Sequence, residues 1–276
     1  MDIPPAVFGL VGEPGEIRGG VSGVFRYGDV VVKPVTDHAE AEWTQATFAA
    51  LTPSAEVRWA RPIAATDGRW VVDGWIANEF VPDLSLVAPN WAAVLEFGAR
   101  FHASTREITP PDAMLRARDH RWARDHRWAR GERHAFDEET VELSDHAAAI
   151  DAQLATWCDR DPNPPQVVHV DLANNVFVDL DGVPVVLDIS PGFRTPAYCA
   201  AVVIADALVW TGADVRIIDL LGPPSRARPI LARALRFRIT TDHLAHSERG
   251  DLAAPNYLDR YRNVITAMSE RAPIDL

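Results

Sequence analysis

Val167 to Ser190 read VVHVDLANNVFVDLDGVPVVLDIS. The apolar runs within this stretch are short and rich in valine, so they predict strands rather than helices. Leu180-Asp181-Gly182 is a turn signal. It folds Val176 to Asp179 back onto Val185 to Ile189 as a β-hairpin, with Val167 to Val170 a strand ahead of it. The loop between the first two strands carries His169, Asp171 and Asn175, and the returning hairpin delivers Asp188 at the end of an apolar run. A carboxylate, an amide and a second carboxylate are thereby drawn to one point. Phosphoryl transfer asks for a carboxylate beside the attacking hydroxyl, plus an amide and a carboxylate to hold magnesium on the phosphates, because magnesium prefers hard oxygen ligands. Asp171, Asn175 and Asp188 fit those three places, with Asn174 a competitor for Asn175.

Upstream, Glu16 to Val35 read EIRGGVSGVFRYGDVVVKPV. Val30 to Val32 predict a strand, Tyr27-Gly28-Asp29 the hairpin turn before it, and Gly20 and Gly23 a preceding turn, giving an antiparallel ribbon that ends on Lys33. Pro34 is expected to stop the strand, and Asp37 to cap a helix from Ala39 to Leu51. Val57 to Ile63 and Arg69 to Trp75, around the turn Thr66-Asp67-Gly68, predict another hairpin, with Ile76 to Val81 an extended exit. Trp91, Leu95, Gly98, Phe101 and His102 recur at helical spacing, so a helix is expected from Asn90 to Ser104. Further helices are expected over Ala197 to Thr211, Arg226 to Ser247 and Ala254 to Glu270. A strand-rich lobe over residues 1–81 thus precedes a mainly helical one over 82–276. The tandem ARDHRW copies between Ala117 and Trp128 are too short for a solenoid and predict either an extended surface helix, with Trp122 and Trp128 packed inward and the arginines solvated, or an anion or substrate contact.

The chain has 276 residues, 47% of them apolar and 24% charged, which fits one large domain or two lobes and no disordered or fibrous class. No apolar run approaches a membrane span and no secretory signal is legible, so the protein is expected in the cytoplasm. Acidic residues outnumber basic ones 39 to 27, for a net charge of −12. That balance disfavours nucleic acid and anionic membranes as partners and favours a neutral or cationic small molecule. Cys158 and Cys199 lack metal-ligand spacing. Lys33 is the single lysine, every other basic position being arginine.

The order H-x-D, then Asn, then a hairpin ending in Asp resembles the catalytic and metal loops of aminoglycoside phosphotransferases and related kinase-like folds. The resemblance runs along nearly the whole chain. VVVK resembles the strand carrying the lysine that meets the ATP phosphates, the helix with Glu40 resembles the one whose glutamate pairs with that lysine, and NEFVPD, with Glu79 and Phe80, resembles the hinge that meets adenine. LEFGARFHAS resembles a helix ending in a Leu-His or Phe-His pair. The implied architecture is α+β, a two-lobed protein-kinase-like fold with an antiparallel-sheet N-lobe and a helical C-lobe. The implied activity is ATP- and magnesium-dependent transfer to a hydroxyl of a small molecule. In that scheme Asp171 is catalytic, Asn175 and Asp188 hold metal, and Lys33, Glu40, Gly20, Gly23, Glu79 and Phe80 bind the nucleotide. Glu42 competes with Glu40.

Three departures from the family pattern stand out. Val170 occupies a place usually held by Gly, three residues rather than four separate Asp171 from Asn175, and Ser190 stands where an acid is common. DISPGFRTPAY resembles an actinobacterial group of phosphotransferase-like proteins of unassigned substrate. These departures motivate a second reading, a nucleotide-binding pseudokinase or regulatory protein on the same fold. A metal-dependent hydrolase built on His169, Asp171 and Asp188 leaves Lys33 unexplained. His169 reads as a buried scaffold of its loop. Asp206, alone in the apolar VVIADALVW, requires a partner, and the resemblance gives it the catalytic-loop backbone. His243 and His246, one helical turn apart, offer a metal pair but lack a third ligand and a Glu between them and read as surface residues, and Asp214, Asp219 and Asp242 read as scattered acids.

Overall fold

The computed structural model describes residues 7–17, 23–35, 37–54, 56–112, 127–251 and 256–271. Its strands are β1 (Gly15–Glu16), β2 (Phe25–Tyr27), β3 (Val30–Pro34), β4 (Arg58–Trp59), β5 (Pro62–Ile63), β6 (Trp75–Glu79), β7 (Ser85–Leu86), β8 (Gln166–His169), β9 (Val176–Val178), β10 (Pro184–Val186) and β11 (Pro191–Arg194). Its α-helices are α1 (His38–Ala50), α2 (Trp91–Ser104), α3 (Arg127–Ala135), α4 (Asp145–Ala155), α5 (Pro196–Asp206), α6 (Pro224–Arg249) and α7 (Asn256–Glu270). The chain divides into two compact units, Met1–Leu86 with Asn175–Ile189, and Val87–Asn174 with Ser190–Leu276. The first is built on an antiparallel sheet and the second is mainly helical, the α+β kinase-like plan that the sequence leads one to expect.

In the first unit the valine run is the centre of a five-stranded sheet in the order β1-β2-β3-β6-β5, antiparallel at every step. Period-two alternation buries Val32 against its cross-strand partner Ala77, both fully shielded from solvent. With Phe8, Tyr27, Ala65, Val72 and Trp75 they form the core of this unit. The same alternation places Lys33 one residue on, opposite Ile76. Pro34 ends β3 from inside the strand, paired with Trp75, rather than stopping it from outside. The Asp37 carboxylate caps α1 by accepting the Glu40 N–H at 2.7 Å.

One expected hairpin forms differently. Residues 69–74 make no strand, because Asp73 and Gly74 both take positive φ, 50° and 80°, and reverse the chain in a tight turn with Val72 bridged to Trp75. The segment read as an exit is therefore the strand β6, and it pairs with β5. β4 leaves for a second sheet, in the order β4-β10-β9-β7, where the hairpin β9-β10 pairs in the register Val176↔Val186 to Val178↔Pro184.

In the second unit α6 is the central element, burying Leu231, Leu235 and Ile239 completely. α3 lies close against it through Gly131, where a Cβ would stand 2.9 Å from the Phe237 carbonyl oxygen. β8 pairs with β11 in place of the hairpin that follows it, a partner missed because Pro191 and Gly192 are poor strand signals. The short helices α3 and α4 were likewise not singled out. α5 starts at Pro196 behind the cap Thr195 and continues into a π-helical turn, Ala207–Thr211, that closes on Gly212 at φ 70°. Most of the ARDHRW repeat, with Trp122, lies outside the described residues. Trp128 of its second copy packs edge-on against Trp210 and Phe237, with ring centroids at 5.9 and 6.1 Å. No helix among the described residues is long and apolar enough to cross a membrane.

Candidate active site

The structure brings together two groups that stand 155 residues apart in sequence: the Lys33 ammonium, at the end of the central strand β3, forms an ion pair with the Asp188 carboxylate. Asp188 lies two residues beyond β10 and takes φ 48°, a left-handed conformation that Asp and Asn adopt at lower cost than other non-glycine residues. The strand alternation ends there. Its predecessor Leu187 donates its N–H to the Asn175 carbonyl at 2.9 Å, extending the β9-β10 ladder by one rung. Asn175 is thus held opposite Leu187, with Asp188 the next residue along, while Asn174, before the ladder, is exposed. Lys33 in β3 and the partly exposed Asp188 carboxylate beyond β10 are paired, and an amide and a carboxylate are hard oxygen donors of the kind magnesium takes.

The remaining predicted nucleotide residues occupy the same unit. Glu40 lies in the first turn of α1, its carbonyl accepting from Thr44 Oγ1. The Glu42 carboxylate is engaged elsewhere, accepting the Val71 N–H at 3.0 Å. Gly23 takes φ 96°, a conformation that favours glycine, with Pro34 in van der Waals reach of any Cβ placed there. Gly20 lies outside the described residues. Glu79 is exposed at the end of β6, and Phe80 donates its N–H to the Asp29 carbonyl while the Arg26 guanidinium covers its ring at 3.6 Å.

Asp171 belongs to the second unit, where two buried imidazoles set its backbone. Its N–H donates to His169 Nδ1 at 3.1 Å, and the His169 N–H donates to His102 Nε2 at 3.1 Å. Both ring nitrogens act as acceptors, so both bonds need neutral imidazoles. Burial, reinforced by the proximity of His169, lowers the His102 pKa to about 3. His169 is therefore the scaffold its sequence setting implies, and His102, at the end of LEFGARFH, is its support. Val170 donates its N–H to the Ser190 carbonyl, and its side chain fills the space over Gly192, where a Cβ would fall on Val170 Cγ1. The valine that replaces the usual glycine is accommodated by a glycine across the β8-β11 pair.

A histidine whose folded pKa is depressed contributes its full stability above the unfolded value near 6.5 and loses it as pH falls toward the folded value. Between pH 7.5 and 4.5 the unfolding free energy of wild type is accordingly expected to fall by about 2–3 kcal/mol more than that of His102→Gln. Urea unfolding at both pH values measures this, and equal falls in the two proteins would remove His102 as the titrating group.

Asp206 has a different partner from the one expected. Its carboxylate is held by the fully buried Arg238 in a bidentate pair, with Nη2 to Oδ2 at 2.6 Å, so it does not fasten the loop backbone. Burial raises the Asp206 carboxyl to about 6 against the pull of Arg238. The Arg238 guanidinium is also enclosed by the rings of Trp128, Trp210 and Phe237 at 4.5, 4.6 and 4.3 Å. Sequence reasoning missed Arg238. The available signal was the demand of a buried acid for a cation, met by an arginine within the apolar face of α6. His243 is buried rather than on the surface, since α6 is covered on several sides. Among the described residues no cluster of three or more His, Cys, Asp or Glu side chains is arranged to hold a metal.

The sequence matches the phosphotransferase enzyme family model over residues 16–191. No curated protein matches it. Among solved structures it is similar to an amicoumacin kinase crystallised with AMP-PNP, calcium and amicoumacin, at 13% identity and a TM-score of 0.60, covering 96% of this chain and 90% of that one. It is similar to a spectinomycin phosphotransferase with ADP and spectinomycin, at 14% identity and 0.56, covering 97% and 96%. A choline/ethanolamine kinase family protein from Mesorhizobium loti gives 14% and 0.56, covering 94% and 89%. At such identities the likeness is one of fold.

Proposed function

The chain belongs to the phosphotransferase enzyme family, and from that membership we propose that it transfers the terminal phosphoryl group of ATP to a hydroxyl of a small molecule, with magnesium. The observation that carries this reading is the pairing of the single lysine, Lys33, with Asp188, the residue after the Leu187 that bonds to Asn175. The donor set fits the metal: an amide oxygen and a carboxylate are hard ligands, and Asp188 remains more than half exposed, at 58%, although paired. Bound there, magnesium would neutralise charge on the phosphates as it develops. Lys33, released from Asp188, would orient the α- and β-phosphates, Glu40 would take the lysine in turn, and Gly20, Gly23, Glu79 and Phe80 would line the nucleotide. Asp171 would accept or position the hydroxyl. The nucleotide side comprises residues 1–81 with the hairpin that carries Asn175 and Asp188, and the acceptor side is the helical unit. The acidic balance of the chain supports a neutral or cationic acceptor over nucleic acid.

Lys33→Met is expected to weaken ATP binding about 10- to 100-fold, the worth of a charge-assisted contact to phosphate. Titration calorimetry with ATP and magnesium measures it, and unchanged affinity would remove Lys33 from the site. A second reading, nucleotide binding without turnover, draws on the same ion pair, in which the lysine and the metal-binding carboxylate satisfy one another. ADP formation by wild type above an Asp171→Asn control decides between them.

A further inference from the structure

Helix α2 and its C-cap Thr105 turn one face toward the chain that runs into Asp171. Gly98, Phe101, His102 and Thr105 recur on that face at helical spacing, and they meet residues 167–172 in the opposite chain direction. Fully buried Thr105 donates from Oγ1 to the Val167 carbonyl at 2.6 Å. His102 Nε2 accepts the His169 N–H, and the Phe101 ring meets the His169 ring edge-on, with centroids 5.9 Å apart. At Gly98 the contact is one of volume: a Cβ placed there would stand 2.8 Å from Leu172 Cδ1, closer than two carbons can pack.

The backbone does not ask for glycine at 98. The residue lies inside an α-helix, where glycine is among the poorest formers, and it is not among the glycines of positive φ. What remains is the space that Leu172 takes. Leu172 and Ala173 are each 3% exposed, so the leucine methyl is enclosed and cannot turn into water to make way. Asp171 stands between two held neighbours: its own N–H donates to His169 Nδ1, and the next residue is seated on α2.

We propose that Gly98 is a positioning residue for Asp171. Its missing side chain lets Leu172 seat on α2, and that seat, with the His169–His102 bond, fixes where the Asp171 carboxylate stands relative to the acceptor hydroxyl. The role in catalysis rests on the phosphotransferase reading, whereas the seat does not. A side chain at 98 moves Leu172, and the shift passes to Asp171 through the peptide they share. A reacting group misplaced by about 1 Å loses on the order of 100-fold in rate.

The test compares wild type, Gly98→Ala and the double variant Gly98→Ala/Leu172→Val, in which one added methyl is matched by one carbon removed. Two quantities are read: hydrogen exchange of the Asp171 amide by NMR without ligands, and ADP formation at saturating ATP with the KM for ATP alongside. Gly98→Ala is expected to speed the exchange at least about tenfold and to lower kcat about 10- to 100-fold, with KM within about twofold. The double variant is expected to recover most of both losses. Alanine favours the helix over glycine, so a loss of activity through a weakened α2 has the wrong sign. If Gly98→Ala does not fold, Leu172→Ala empties the seat from the other side and is expected to show the same faster exchange and lower kcat. Unchanged exchange in the variant that folds, faster exchange with unchanged kcat, or a loss that Leu172→Val fails to recover overturns the proposal. Wild type that forms no ADP above an Asp171→Asn control sinks the phosphotransferase reading alone, and the exchange rates then decide the seat by themselves.

Discussion

Asp171→Asn is expected to lower kcat by about two to four orders of magnitude, the range a positioned proton acceptor contributes, and to leave ATP affinity within about twofold. The separation of the two effects follows from how the residue is held. Its backbone N–H is fixed by His169 Nδ1, and the His169 backbone by His102, so the loop keeps these two anchors when the side chain at 171 changes. Asparagine keeps the volume and removes the negative charge and the basicity. ATP contacts are assigned to Lys33, Asn175 and Asp188, on strands and a hairpin of the other unit. ADP formation at saturating ATP, with calorimetric titration alongside, reads both quantities. A kcat within about tenfold of wild type would show that the carboxylate takes no part in the chemistry.

Arg238→Met is expected to cost about 3–5 kcal/mol of stability, because removing one partner of a buried ion pair leaves the other without compensation. Arg238 is fully buried and Asp206 is 3% exposed, so water replaces neither. With the arginine present, burial already raises the Asp206 carboxyl to about 6, and without it the carboxyl rises further. An acid whose folded pKa is raised has its stabilising contribution below the unfolded pKa and loses it as pH climbs through the folded one. The deficit of Arg238→Met is therefore larger at pH 7.5 than at pH 5. Adding Asp206→Leu is expected to recover a large part of the loss, since two apolar groups replace a pair whose desolvation was costly. Urea unfolding of the single and double variants at both pH values tests this. A single variant within about 1 kcal/mol of wild type would show that the pair carries no such weight.

The elements that the sequence makes legible are those whose signal is local. The β2-β3 turn at Tyr27-Gly28-Asp29, the cap Asp37, the helix expected from Asn90 and the β9-β10 hairpin each announce themselves within a few residues, and each forms near its expected place, the hairpin ending at Val186 rather than Ile189. The errors fall where a strong pattern had two solutions. Arg69 to Trp75 carries the strand-like apolar run Trp70-Val71-Val72, yet Asp73-Gly74 turns the chain and passes the pairing to Trp75–Glu79. β11 begins with Pro-Gly and carries little strand propensity, but His169 and its neighbours require a ladder partner and find it there.

For the candidate site, Lys33 could be noticed because it is the single lysine, and Asp171, Asn175 and Asp188 because they punctuate an apolar hairpin. Composition and short-range pattern reach that far, since turn chemistry and strand alternation act over a few residues. Which cation answers Asp206, which acid meets Lys33, and that a glycine at 192 makes room for Val170 are matters of tertiary structure. In each case the partners are far apart in the chain or on different elements, and a buried charge or a filled volume is satisfied by whatever packing brings next to it, which no local pattern encodes.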